Sequence, residues 1–370
     1  MAQRVFNFSS GPAVLPLPVL EQAQRDLLAL PGVGMSVLEI SHRSKPFDEI
    51  LASTESNLRK LLGIPDGHRV LFFQGGAALQ FSMIPMNLLR GTERAAEYLV
   101  AGAWGKKAQQ AAALEGTARA VWDGAKTSYD RLPHPGEFQV SPEAAYFHIT
   151  SNETIQGVQM PADPRQAGLK LPAGVPLVCD SSSDILSRPV PIADYGLVYA
   201  CAQKNAGPAG VTVVIIRDEL IERSCQSLPG ILSYREFAQN NSLYNTPCVF
   251  GIYVMMLVTR WLLEDVGGLT EMARQNAAKA KLLYDVLDGS GGFYRGHAQP
   301  ECRSDMNVTF RLPSEELEMR FIKAAEAADL YQLKGHRSVG GIRASIYNAM
   351  PLQGVQRLAD VMHDFRRQAG

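Results

Sequence analysis

Between residues 68 and 217 the chain repeats one pattern, in which a short and almost wholly apolar run stops at small or polar residues. "RVLFF" stops at Gln74-Gly75-Gly76, "AEYLVAG" leads to Trp104, and "AAYFHIT" leads to Ser151-Asn152-Glu153. "PLVCD" runs into Ser181, "YGLVYACAQ" into Lys204, and "GVTVVIIR" closes the set. Helix-like stretches such as "GKKAQQAAALEG" separate some of these runs. Strands that are apolar on both faces and alternate with helices predict a mostly parallel sheet covered on both sides. Ahead of them, residues 16–62 read as helix. Leu20, Ala23 and Leu27 share one face, as do Phe47, Leu51, Leu58 and Leu62.

Asn245-Thr246-Pro247 precedes the apolar run "CVFGIYVMMLV" and predicts a helix with Thr246 as N-cap and Pro247 at its first position. After about residue 260 the pattern changes. A helix covers roughly 269–288, and "MNVTFRL" alternates Met306, Val308, Phe310 and Leu312 on one strand face. Ser314 caps a following helix, with Glu315 and Glu316 in its first turn. "GIRASIYN" alternates Ile342, Ala344 and Ile346, and a last helix places Val355, Leu358, Met362 and Phe365 on one stripe. The division predicted is a large α/β domain over 16–260 and a smaller α+β domain over 261–370, joined by an N-terminal arm, 1–15.

The 370 residues, 46% apolar, suffice for that arrangement. Charge is balanced, 36 Lys+Arg against 37 Asp+Glu, and no basic run favours a nucleic-acid partner. Five scattered cysteines make neither a disulfide framework nor a metal site. The longest apolar run is too short to cross a bilayer, and "MAQRVFNFSSGPAV" has no signal-peptide core. A soluble cytoplasmic protein, with no membrane partner, is the expectation.

Ligands of an open α/β sheet gather beyond the carboxyl ends of the strands. Here those positions hold Gly75-Gly76, Trp104, Thr154, Asp180 and Lys204. Each has an ordinary local reading beside a functional one. Lys204 is a loop lysine, or, flanked by Ala202, Gly207, Ala209 and Gly210, an amine with room for a bulky aldehyde. Asp180 is a turn cap, or the partner of a ring nitrogen. "QGGAALQF" is a tight turn, or a phosphate cup at a helix N-terminus; it is neither a Walker A motif nor G-x-G-x-x-G. Trp104 is core packing or a stacking platform, and Thr154 a turn residue or a donor to a ring oxygen. A phosphate cup, a flat aromatic, a strand-end carboxylate and a lysine together match pyridoxal 5'-phosphate.

The segments "FNFSSGPAVLP", "SHRS", "QGGAALQF", "SNETIQG", "CDSSSDILSRP", "YACAQKNAGPAG", "YNTP" and "KGHRSVGGIRASIYNAM" follow one another from end to end of the chain. In these the sequence resembles the class V aminotransferases of fold type I, pyridoxal-phosphate-dependent transferases, and within them the phosphoserine aminotransferase family. The resemblance implies that Lys204 binds the cofactor covalently and carries the proton between the substrate Cα and the cofactor. Asp180 then keeps the ring nitrogen protonated, Trp104 stacks on the ring, and Thr154 bonds its phenolic oxygen. Ala77 and Ala78 offer main-chain amides to the phosphate, joined by the Gln203 side chain. Asn245 and Thr246 serve the cofactor phosphate of a second subunit, so that active sites are shared in a homodimer.

The implied substrates are L-glutamate and 3-phosphohydroxypyruvate, with the 4-phosphohydroxythreonine reaction of pyridoxine biosynthesis as a possible addition in bacterial relatives. Arginine suits such anions. Arg343, on the strand face opposite Ile342 and Ala344, is assigned the α-carboxylate. Arg43 beside His42, and His336 with Arg337, are assigned the distal anion. Some family members have an arginine where this chain has Ala78, which shifts that load onto Arg43 or Arg337. An alanine–glyoxylate type aminotransferase would not need this cluster. A cysteine desulfurase would need a reactive loop cysteine, for which Cys302 is the candidate. A non-catalytic phosphate-binding protein would leave Lys204, Asp180 and Trp104 without a role.

Overall fold

The computed structural model describes residues 4–369. Met1–Gln3 and Gly370, which belong to the expected arm and small domain, lie outside the described residues. The repeated apolar runs form six strands of one seven-stranded sheet. In chain order the strands are β1 (His68–Phe73), β2 (Ala96–Val100), β3 (Ala118–Asp123), β4 (Tyr146–Thr150), β5 (Leu177–Asp180), β6 (Leu197–Cys201) and β7 (Thr212–Arg217). They lie in the order β1-β7-β6-β5-β4-β2-β3. Only β7 runs against the rest, antiparallel to both β1 and β6. The register Thr150↔Asp180 and Asp180↔Tyr199 brings the carboxyl ends of β4, β5 and β6 level with one another.

Both faces of the sheet are covered, as wholly apolar strands require. Phe72, Ile149, Cys179, Ala200 and Val213 point into one buried cluster with Ile50, Leu58, Ile252 and Met255. Those partners come from α2 (Lys45–Leu62) and the helix Val249–Glu264. Phe73, Tyr98, Tyr146, Tyr199 and Val214 point the other way, toward α3 (Gly76–Leu88) and α4 (Ala103–Ala112).

Three sequence expectations need correction. Residues 16–62 are not continuous helix. The first helix, α1 (Leu17–Asp26), ends before Pro31, and Gly32 and Gly34 carry the chain through a turn at φ +76° and +77° before α2 begins. The buried face of α1 is Val19, Ala23 and Asp26, while Leu27 is exposed. β3 was not among the expected strands. It is a half-exposed edge strand, so its apolar content is diluted. Thr246 does not cap the helix Val249–Glu264. Its N-cap is Cys248, and Pro247 lies outside the helix.

The C-terminal elements match the expected alternation. The strand Asn307–Arg311 pairs antiparallel with Ile342–Ser345. Val308, Phe310, Ile342, Ala344 and Ile346 share a third cluster with Phe321, Leu358, Met362 and Phe365. Phe8 joins that cluster, and Phe6–Asn7 pairs in parallel with Leu330–Tyr331. The helix Leu269–Asp288 takes part in two clusters: Leu269 and Met272 pack with the large sheet, Leu283 and Leu287 with the third cluster.

Candidate active site

Beyond the carboxyl ends of the strands lies a cavity of about 350 Å³. Its wall includes Gly75–Ala78, Trp104, Thr154, Asp180, Gln203, Lys204, His336 and Arg343, together with Ser10 of the N-terminal segment. The strand register explains the gathering, since β1, β2, β4, β5 and β6 all deliver their next few residues to the same edge.

Lys204 follows β6 in a turn of small residues, half-buried, and its Nζ donates to Thr154 Oγ1 at 2.7 Å. The same Nζ lies 5.7 Å from the centre of the Trp104 ring. Asp180 ends β5 at 4% exposure, and its Oδ1 accepts the Ser182 N–H at 2.9 Å. Burial pushes the Asp180 carboxyl above its usual range, against the Ser182 bond and the Lys204 charge, which pull it down. Gly75 sits at φ +86° as N-cap of α3, where a Cβ would come within 2.7 Å of Leu79, so the close turn needs glycine. No side chain caps this helix, and the first-turn N–H groups, those of Ala77 and Ala78 included, have no partner within it.

Three buried polar atoms of wall residues, Trp104 Nε1, Thr150 Oγ1 and Asn152 Oδ1, have no hydrogen-bond partner among the described residues. The first two can donate to a ligand's acceptors and the third can accept. Together with a carboxylate short of compensating charge, a reachable amine and uncapped helix amides, they fit a phosphorylated heteroaromatic aldehyde such as pyridoxal phosphate.

On the opposite side, Arg343 donates to Ser10 Oγ at 2.7 Å, and burial draws its pKa below the ordinary value. Burial first, then the charges of Arg343, Lys107 and Arg337, hold the His336 imidazole below its usual pKa. Arg337 itself is exposed and does not line the cavity. Neither do His42 and Arg43, which touch each other at 3.4 Å on a surface turn. Asn245 and Thr246 are also outside the wall, tied to Gln74 just ahead of the glycine turn. One chain therefore assembles Ala77, Ala78, Trp104, Thr154, Asp180, Gln203, Lys204, His336 and Arg343, and leaves five of the expected residues elsewhere.

Sequence reasoning passed over Ser10, Thr150, Asn152 and Glu153. Glu153 is completely buried behind the wall, accepting main-chain N–H groups of Trp104 and Gly105. Burial raises its carboxyl to about 7 against those two bonds. Cys302 is buried, and burial raises its thiol to about 11, the opposite of a reactive loop cysteine. Cys225 is a second loop cysteine, also away from the cavity.

The chain matches the family model for class V aminotransferases over residues 5–358. It belongs to the class V aminotransferase family. A phosphoserine aminotransferase of Rhodopirellula baltica is 53% identical over 363 residues, 98% of this chain and 95% of that protein. The structure of phosphoserine aminotransferase from Bacillus circulans subsp. alkalophilus superposes with a TM-score of 0.94 at 48% identity, each chain covered to 100%. That of PLP-bound phosphoserine aminotransferase from Trichomonas vaginalis gives 0.90 at 37% identity, covering 97% of this chain and 100% of that one. No described helix is long and apolar enough to cross a membrane.

Proposed function

We propose that this chain transfers the amino group of L-glutamate to 3-phosphohydroxypyruvate, giving 2-oxoglutarate and O-phospho-L-serine for serine biosynthesis, with pyridoxal phosphate as cofactor. Class V membership and relatives at about half identity over the whole chain support the reaction. The observation that carries the site is the Lys204 amine, 2.7 Å from Thr154 in a cavity that also holds Asp180 and Trp104.

Bound there, pyridoxal phosphate supplies an electron-poor ring that accepts the electron pair left when a proton leaves the substrate Cα. Lys204 would hold the cofactor through its aldehyde, with loss of water, and as a free amine would carry the substrate Cα proton. Asp180 holds a proton on the ring nitrogen, which gives its buried carboxylate the cationic partner it lacks. Trp104 would stack on the ring, Thr154 would donate to the ring oxygen, and the Ala77 and Ala78 amides with Gln203 would take the phosphate. Arg343 takes the substrate's α-carboxylate.

We further propose a cytoplasmic homodimer in which a second copy brings Asn245 and Thr246 to the cofactor phosphate. His42 and Arg43 would likewise join His336 and Arg337 around the distal anion. The large domain, 16–260, and the small one, 261–370 with the arm 1–15, would close on the substrate between them.

Borohydride reduction followed by peptide mapping is expected to leave the pyridoxyl label on Lys204. The Lys204→Ala protein is expected to fold and to lose transamination. A label elsewhere, or full turnover in that variant, would refute the proposal.

A further inference from the structure

We infer that Glu153 is a positioning residue for this reaction: without lining the cavity, it fixes Trp104 against the place of the cofactor ring.

The start of α4 is held from outside. Its N-cap, Gly102, has no side chain to offer, and the first N–H groups of a helix have no internal partner. A two-stranded hairpin, Asn152–Glu153 against Val158–Gln159, supplies the acceptors. Glu153 Oε2 accepts the Trp104 N–H at 2.9 Å, Oε1 accepts that of Gly105 at 2.8 Å, and Gln156 Oε1 accepts that of Ala103 at 3.3 Å. Three successive amides are thus taken by one hairpin, and a carboxylate there also meets the positive end of the helix dipole.

The fit leaves little freedom. A Cβ on Gly102 would lie 2.5 Å from Glu153 Cδ, and one on Gly105 would lie 3.2 Å from its Oε1. The carboxylate has no exposure at all. The next residue, Thr154, receives the Lys204 amine. One dipeptide, 153–154, therefore ties the ring wall on one side to the reacting amine on the other. A buried acid is costly unless it is bonded, and here both oxygens are used on the backbone that carries Trp104.

The inference rests on the proposed stacking role of Trp104, and a double-mutant cycle separates the two. Affinity for pyridoxal phosphate, kcat and the visible circular dichroism of bound cofactor are measured for Trp104→Ala, Glu153→Ala and the pair. Glu153→Gln, which keeps one acceptor oxygen, serves as rescue. Each single alanine variant is expected to lose about tenfold to a hundredfold in cofactor affinity or kcat. Glu153→Gln is expected to lose less, with a measurable change in the cofactor band. The pair is expected to fall no more than about threefold below Trp104→Ala, because both changes remove one interaction. Losses that multiply overturn the inference and leave the role of Trp104 standing, whereas unchanged affinity and rate in Trp104→Ala overturn both. If Glu153→Ala does not fold, the cycle is run with Glu153→Gln, and an unaltered cofactor band with unaltered kcat overturns the inference.

Discussion

A carboxylate at the buried end of a strand has to be compensated for the water it loses. Asp180 has one hydrogen bond from Ser182 and a pKa raised by burial, so a cation bound beside it would be strongly held. Asp180→Asn keeps the shape and removes the charge. It is expected to weaken cofactor binding at least about tenfold and to lower kcat/KM about a hundredfold, or about 3 kcal/mol at the transition state. Titration with pyridoxal phosphate and steady-state assays check this, and unchanged values would leave the aspartate a strand-end cap. Asp180, Trp104 and Lys204 were legible in the sequence because each interrupts an apolar or small-residue run. Glu153 and Asn152 were not. They are polar residues in a polar segment, and their meaning lies in partners such as Trp104 and Asn307, 49 and 155 residues away.

Among the elements, the six strands were legible for a physical reason: a strand buried on both faces is apolar throughout. The seventh, Ala118–Asp123, lies at the sheet edge and keeps solvent on one side, which erases that signal. Apolar spacing likewise ran past the end of α1 to Leu27, and the turn at Pro31 was hidden among leucines of which Leu28 is 86% exposed and Leu30 packs partly on the core. The helix Leu269–Asp288 was read correctly, yet its main anchor was not. Lys279 is 3% exposed, and its Nζ donates to the carbonyls of Ile346, Tyr347, Asn348 and Met350 at 2.8–3.3 Å. Asn348 in turn receives a bond from Asn276 and donates its N–H to Asn205, the neighbour of Lys204. Lys279→Met preserves bulk but orphans several carbonyls at about 1–3 kcal/mol each. A loss of about 3 kcal/mol is expected, read from the urea midpoint.

At the scale of the molecule, two buried groups make stability depend on pH in opposite senses. His148, 1% exposed beneath the cavity and bonded to Tyr199, is held near pKa 3 by burial alone. Its folded pKa is depressed, so its contribution is full above about pH 6.5 and is lost as pH falls toward 3. Glu153, raised to about 7, contributes most below about pH 4.5, and that contribution is lost as pH rises through 7. Denaturation of the parent and of His148→Gln at several pH values isolates the first. Between pH 6.5 and 5 the parent should lose about 2 kcal/mol more than the variant. Equal slopes would mean the imidazole titrates alike in the folded and unfolded chains, which would overturn its burial as the source of the pH dependence. Subunit sharing is tested by mixing two inactive proteins, Lys204→Ala and Arg43→Ala, under exchange. If Arg43 acts across the interface, half the dimers are hybrids with one intact site each, and about a quarter of parental activity returns. No recovery would place Arg43 in its own subunit's site or outside the reaction.

Ser10 and Arg343 bond to each other although 333 residues separate them. Gly11 passes so near Lys204 that a Cβ there would lie 3.5 Å from the lysine Cγ. During translation, then, residues 6–11 leave the ribosome long before their partners at 330–347 exist. A nascent chain can finish the seven-stranded sheet and present its lysine while the opposite wall is still unmade. Ribosome-bound intermediates stalled before residue 330 should therefore take up the cofactor poorly, and competence should arrive only as the final helix emerges.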